Sequence, residues 1–128
     1  MTFLLDTHVL LWAIGQTDRL SARATKLILD PHTQLVASTV SLWEIAIKSQ
    51  GGKLDVPATP EYFDFHFSRL GIRRVLSVDP SHTYALFKLP PIHRDPFDRL
   101  LAAQCVVERM QLVSADRIFR KYPVEVVW

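Results

Sequence analysis

His93-Arg94-Asp95-Pro96-Phe97-Asp98-Arg99-Leu100-Leu101-Ala102-Ala103-Gln104-Cys105-Val106-Val107-Glu108-Arg109-Met110-Gln111 combines the strongest helix signal of the chain with two acids in unexpected places. Asp95 followed by Pro96 predicts a helix start, with Asp95 as N-cap and proline at the first helical position, where its missing N–H costs nothing. Asp98 then falls at the third helical position and shares a face with Leu101, Ala102 and Cys105, at i+3, i+4 and i+7. A carboxylate that leads an apolar stripe is out of place on a merely solvated face. Immediately after the helix comes Leu112-Val113-Ser114, a short apolar run ending in a polar residue and then Asp116. A helix feeding a buried strand whose end carries an acid is the unit from which the rest can be read.

The same unit recurs along the chain. Thr2-Phe3-Leu4-Leu5 reads as a buried strand ending at Asp6, followed by a helix through Val9-Leu10-Leu11-Trp12-Ala13-Ile14 that stops at Gly15. Ser21 to Asp30 predicts an amphipathic helix with Ala24, Leu27 and Ile28 on its apolar face. Leu35-Val36-Ala37 is a second buried strand, and Ser38 to Ser41 opens a third helix, apolar nearly all round, that runs out at Gly51-Gly52. An aromatic-rich helix follows Pro60 and ends near Gly71. Ile72 to Val78 is strand-like, Pro80 to Leu89 reads as a short helix broken by Pro90-Pro91, and Val124 to Val127 is the last strand. Strands alternating with helices along the chain imply a parallel sheet covered on both faces, with ligands bound beyond the carboxyl ends of its strands.

The 128 residues are enough for one domain, residues 1–128, folding on its own core. With 48% hydrophobic residues the composition is that of an ordinary globular chain, not of a disordered one. The single cysteine, Cys105, has no partner for an internal disulfide, and its apolar helical face makes it a core residue rather than a nucleophile. A reducing cytoplasm is the compartment this predicts. No apolar run approaches the ~20 residues needed to cross a bilayer, and no basic segment precedes Phe3, so neither export nor membrane insertion is expected. A formal charge of +2 is too small to attract nucleic acid through the overall field. Any such binding must come from a local cluster of Lys and Arg.

Four acids fall in one kind of place. Asp6 and Asp116 follow apolar strands, and Glu44 and Asp98 lie in the first turns of helices that a parallel sheet delivers to the same edge. Each also has a local structural account: Asp6 and Asp116 can cap the helices they precede, Ser41-x-x-Glu44 fits a capping box, and Glu44 with Lys48 is a favourable i, i+4 pair. Together they pose an electrostatic problem, because two carboxylates ~4 Å apart repel by about 4 kcal/mol even at an effective dielectric of 20. Helix ends carry only about half a charge each and cannot neutralise four acids. Either protons are retained or a cation is bound. An all-oxygen donor set selects Mg²⁺ or Mn²⁺, and the histidines show no sequence spacing that favours zinc. Such an ion activates water and clamps phosphoryl oxygens, which points to phosphodiester hydrolysis. Lys48, Lys53, Arg94, Arg99, Arg117, Arg120 and Lys121 supply the charge to hold a nucleic-acid backbone near an acidic centre.

Asp6-Thr7-His8 with Leu10-Leu11-Trp12, then Ser41-Leu42-Trp43-Glu44-Ile45-Ala46-Ile47-Lys48, Gly52-Lys53-Leu54, His93 to Gln104, and Asp116-x-x-Phe119 together resemble a PIN-domain protein of the VapC toxin type. The resemblance runs from Asp6 to Trp128. It implies a three-layer α/β/α sandwich around a mostly parallel sheet of about five strands. It further implies that Asp6, Glu44, Asp98 and Asp116 hold Mg²⁺ or Mn²⁺, that the activity is endoribonuclease, and that the chain pairs with a VapB-type antitoxin encoded beside it. Asp95 receives no such role and stays a cap. Members of this family commonly form homodimers and bind the antitoxin near the active site, which implies a contact role for exposed parts of the first helices, with Trp12 open to either that role or a place in the core. Among the basic residues, Lys48, Arg94, Arg99 and Arg117 are the expected RNA contacts. A haloacid-dehalogenase-type phosphatase also has an Asp after its first strand but needs a second Asp two residues on, where this chain has His8. A catalytically silent scaffold of the same fold is the alternative, but it would be expected to have lost some of the acids, and all four are present.

Overall fold

The computed structural model describes residues 1–128. Five strands, Thr2–Leu5 (β1), Gln34–Ser38 (β2), Arg74–Leu76 (β3), Gln111–Val113 (β4) and Val126–Val127 (β5), form one sheet in the order β3-β2-β1-β4-β5. Every neighbouring pair is parallel, with Leu4 opposite both Val36 and Leu112. β1 is the centre because Leu4 and Leu5 are fully buried and alternate between the two faces. Leu5 and Phe3 join Leu35, Ala37, Val113 and Val127 in one core, whereas Leu4 joins Val36 and Leu112 in the other.

Six helices cover the two faces. Thr7–Gly15 (α1), Ala22–Leu29 (α2) and Pro60–Leu70 (α4) pack Val9, Leu10, Ala13, Ala24, Ile28, Phe63 and Phe67 into the first core. Pro96–Glu108 (α6) packs Leu101, Ala102 and Cys105 into the second, backed by Phe119 and Tyr122. Thr39–Gln50 (α3) serves both, through Val40 on one side and Ile45 on the other. Pro80–Ala85 (α5) lies against α6 through fully buried His82, whose Nε2 donates to Glu108 Oε2 at 2.9 Å. The layering is α/β/α, as the alternation of strands and helices predicts. No helix is long and apolar enough to cross a membrane.

Several boundaries differ from the sequence reading for identifiable reasons. The strand expected over Ile72–Val78 shrinks to three residues, since β3 is an edge strand with Arg74 and Val75 exposed. β5, at the opposite edge, is only two residues of the four expected. The helix expected over Pro80–Leu89 is α-helical to Ala85 and tightens to a 3₁₀ turn over Leu86–Lys88. The Ser41-x-x-Glu44 capping box is not made, because Ser38 is the N-cap of α3 and its hydroxyl accepts from Val40 N at 3.0 Å. Ser41 lies one turn inside the helix and takes a hydrogen bond from the Thr7 hydroxyl (2.9 Å), and Glu44 belongs to the second turn, not the first. That helix is also not buried all round: Trp43 and Ile47 are exposed. α4 ends as expected, at Gly71 with φ of 77°, a left-handed position that glycine takes without steric cost.

Candidate active site

The strand order reverses between β1 and β4. Crossovers from β1 lead outward to β2 and β3, then the chain returns to lay β4 on the other side of β1. In a parallel sheet a crevice opens at such a reversal, beyond the carboxyl ends of the two strands. Asp6 follows β1 there and Asp116 lies three residues past the end of β4.

Asp6 is almost fully buried. Its Oδ1 caps α1 by accepting from Val9 N at 3.0 Å, and its Oδ2 accepts from the Ser114 hydroxyl. Burial raises its pKa, against the opposing hydrogen bond from Ser114. The Ser114 oxygen also accepts from Asp116 N at 3.1 Å, so one buried hydroxyl ties the two strand ends together. Asp116 caps a 3₁₀ turn over Arg117–Lys121 by accepting from Ile118 N at 3.0 Å, while half of its side chain faces solvent.

α6 brings the third acid. Asp95 is the N-cap, accepting from Phe97 N (2.9 Å) and Asp98 N (3.3 Å) with one oxygen, as the Asp-Pro pair predicts. Asp98, one step further in, is largely buried. Burial, and then the negative charges of Asp95, Asp6, Glu44 and Asp116, push its carboxyl up to about 8. The other three expected acids, Asp6, Glu44 and Asp116, are thus near enough to Asp98 for their charge to bear on its carboxyl. They are not equally close. Oxygens of Asp98 and Asp116 lie with a nitrogen of His93 within 4.8 Å of one another, whereas Asp6 and Glu44 stand outside that cluster.

Glu44 is buried to 1% exposure, with Oε2 paired to Lys48 Nζ at 2.5 Å and Oε1 lacking any hydrogen-bond partner. A buried carboxylate oxygen without a donor from the protein is costly, and a bound cation would relieve that cost. The hydrogen bond and charge of Glu44, with further help from Asp95 and Asp98, raise the pKa of Lys48. Lys48 thus pairs with Glu44 while about a third of its side chain, 33%, stays in solvent.

The other expected basic contacts separate. Arg94 and Arg117 are exposed, each next to an element that carries an acid. Arg99 instead spends its guanidinium on main-chain carbonyls, donating to Pro90 O at 2.9 Å and Leu86 O at 3.4 Å, so its first task is to hold the loop before α6. Sequence reading missed two residues at the site, His93 and Ser114. Ser114 had a signal, as the polar residue closing an apolar strand. His93 had none in its spacing, because Asp98 and Asp116 are five and 23 residues away and only the fold gathers them.

Beneath the crevice a buried polar chain joins the elements. Ser38 donates to Gln104 Oε1 at 2.6 Å, and Gln104 Nε2 donates to Ser77 O at 3.4 Å, which locks α6 to the ends of β2 and β3. Cys105, its neighbour on α6, is buried and pushed up to about 12 by burial alone, so it is no nucleophile.

Comparison with known proteins agrees with this architecture. Ribonuclease VapC22 of Mycobacterium tuberculosis is 29% identical over 122 residues, covering 94% of this chain and 92% of that one. In the crystal structure of VapBC2 from Rickettsia felis bound to a DNA fragment from its promoter, one chain superposes with a TM-score of 0.71 at 17% identity, over 99% of this chain and 98% of that one. A chain of DNA-bound VapBC from Salmonella typhimurium gives 0.68 at 15% identity, over 99% and 97%. At such identities the two structures establish the fold. The PIN domain family model matches residues 3–125, from the first strand to the edge of the last, and the chain belongs to the PIN-domain family.

Proposed function

We propose that this protein is a divalent-metal-dependent endoribonuclease acting as the toxin of a toxin–antitoxin pair, with Asp6, Glu44, Asp98 and Asp116 as the catalytic acids. The observation that carries the reading is the group of acids beyond the carboxyl ends of β1 and β4, where Asp98 is repelled by three other site carboxylates and Glu44 keeps an unpartnered buried oxygen. The residues fit Mg²⁺ or Mn²⁺, since the acids offer hard oxygen donors and the surplus negative charge has no internal counter-ion beyond Lys48. Asp98 and Asp116 would hold the ion with Asp6 and Glu44 completing the acidic wall. When bound, the ion supplies an activated water and neutralises charge on a phosphoryl group, the chemistry by which water is added across a P–O bond of RNA.

The chain's own residues have distinct tasks. Ser114 fixes the orientation of the Asp6 carboxylate and joins it to the backbone of Asp116. Lys48 balances Glu44. Arg94 and Arg117 are exposed, and we assign them the contacts to RNA phosphates. A VapB-type antitoxin is the proposed protein partner, because the Mycobacterium tuberculosis relative is a VapC ribonuclease and both structural neighbours are VapBC complexes. Exposed Trp43, Phe65, Tyr84 and Phe87 offer apolar surface for protein contacts, among them a second copy of the chain.

The test is incubation of purified protein with a structured RNA pool in Mn²⁺, in Mg²⁺ and in chelator, followed by sequencing of the cleaved ends. Cleavage that needs the ion, disappears in Asp116→Asn and is blocked by the product of the adjacent small gene is expected. Equal cleavage in chelator removes the metal assignment. Failure of the neighbouring product to bind removes the toxin assignment while leaving the nuclease.

A further inference from the structure

His93 is held from three sides. Its backbone N–H donates to the Tyr122 hydroxyl at 2.7 Å, its ring lies 6.0 Å from that of buried Phe119, and its Nδ1 accepts the backbone N–H of Asp95 at 3.3 Å. A ring nitrogen that accepts carries no proton, so the neutral imidazole bears its hydrogen on Nε2. That nitrogen is buried and lies 2.9 Å from Oδ2 of Asp98 and 3.4 Å from Oδ2 of Asp116. It is aligned for a hydrogen bond with neither. His82 provides a comparison within the same chain: its Nδ1 also accepts a backbone N–H, from Asp79 at 3.0 Å, but its Nε2 makes a regular hydrogen bond to Glu108. The Nε2 of His82 serves packing, whereas that of His93 is left astride two acids at the mouth of a crevice.

We propose that His93 is a positioning residue of the site, whose Nε2–H lies between Asp98 and Asp116 and turns onto their carboxylates when they take a divalent cation, fixing their orientation. The inference rests on the metal-dependent reading above. The alternative, direct ligation through Nε2, requires a lone pair that the Asp95 hydrogen bond to Nδ1 denies to a neutral ring. Donors are often poorly aligned before the site is filled and tighten afterwards. Partners that orient ligating carboxylates typically change metal affinity by about 10- to 100-fold when removed.

Mn²⁺ binding to the whole protein, followed by electron paramagnetic resonance without RNA, tests this. His93→Leu, which has no donor, is expected to bind Mn²⁺ about 10- to 100-fold more weakly, and His93→Gln, whose amide N–H can replace Nε2–H, to recover most of the loss. Mn²⁺ bound to the parent should show no imidazole nitrogen coupling. Parent-like affinity in His93→Leu overturns the proposal, and so does a nitrogen coupling that vanishes with His93, which would make it a ligand. Loss confined to the KM for RNA, with Mn²⁺ affinity unchanged, also overturns it, in favour of a substrate contact. Should His93→Leu fail to fold, ring ¹⁵N shifts of the metal-free parent decide: protonation on Nε2 supports the assignment and protonation on Nδ1 ends it. A parent that binds Mn²⁺ in a His93-dependent way but cleaves no RNA sinks the ribonuclease reading alone. A parent that takes up no Mn²⁺ sinks both.

Discussion

At the residue scale, the acids separate capping from chemistry. Asp6 caps α1 through Oδ1 and accepts from Ser114 through Oδ2, and its proposed second task is to face a cation. Asn caps about as well as Asp but brings no charge to a cation. Asp6→Asn should therefore fold normally, match or exceed the parent's stability without metal, and lose RNA cleavage by orders of magnitude. Full activity in the variant, free of contaminating nuclease, would reduce Asp6 to a cap. Asp98 yields a pH prediction. Its unfolded carboxyl ionises near pH ~3.9, whereas in the fold it is held up to about 8. Below pH ~4 both states are protonated and stability is fully present. As pH rises from there toward about 8 the unfolded chain has released a proton that the native chain keeps, so metal-free stability falls, by at most about 1.4 kcal/mol per pH unit. Urea midpoints across this window in chelator should decline for the parent and decline less for Asp98→Asn. Equal slopes would place the titration elsewhere. The four acids are legible in the sequence because each stands where an apolar segment ends or faces inward. His93 is not, because both of its acid neighbours reach it only through the fold.

At the element scale, legibility tracks burial. β1, β2 and β4 are enclosed on both faces and show as unbroken apolar runs, whereas β3 and β5 lie at the edges, where exposed residues dilute the pattern. α6 is readable from Asp95-Pro96 alone, since cap and fixed φ act locally. The start of α3 is easily misread because two serines three residues apart compete for the cap. Ser38 wins by being tied to the fold twice, to Val40 N and to Gln104 Oε1. Ser38→Ala should thus cost more than a cap, which is worth about 1 kcal/mol, because it also leaves a buried amide oxygen unpaired at about 1–3 kcal/mol. Chemical denaturation should show a loss of roughly 2 kcal/mol or more. A loss under about 0.5 kcal/mol would mean that Ser41 takes over the cap or that water fills the gap.

At the scale of the whole molecule, a cation that binds only the native acids must stabilise all of it. Mn²⁺ at a hundredfold excess over its Kd should add about 2.7 kcal/mol, visible as a raised melting temperature that Asp98→Asn largely loses. An unshifted melting curve at millimolar Mn²⁺ would count against the site. Cys105 reports on the same global unfolding: it is buried on α6, and its thiol is pushed up to about 12. Reaction with an aromatic disulfide should track unfolding and slow when Mn²⁺ is added. The strand order has a consequence for synthesis as well. Asp6 and Glu44 leave the ribosome early, but β4 must slot beside β1 before Asp116 reaches Asp6 through Ser114, and β4 begins only at Gln111 of 128 residues. A nascent chain that ends before β4 lacks Asp116 and the strand that ties it to Asp6, so the proposed set of acids is completed only when β4 docks beside β1.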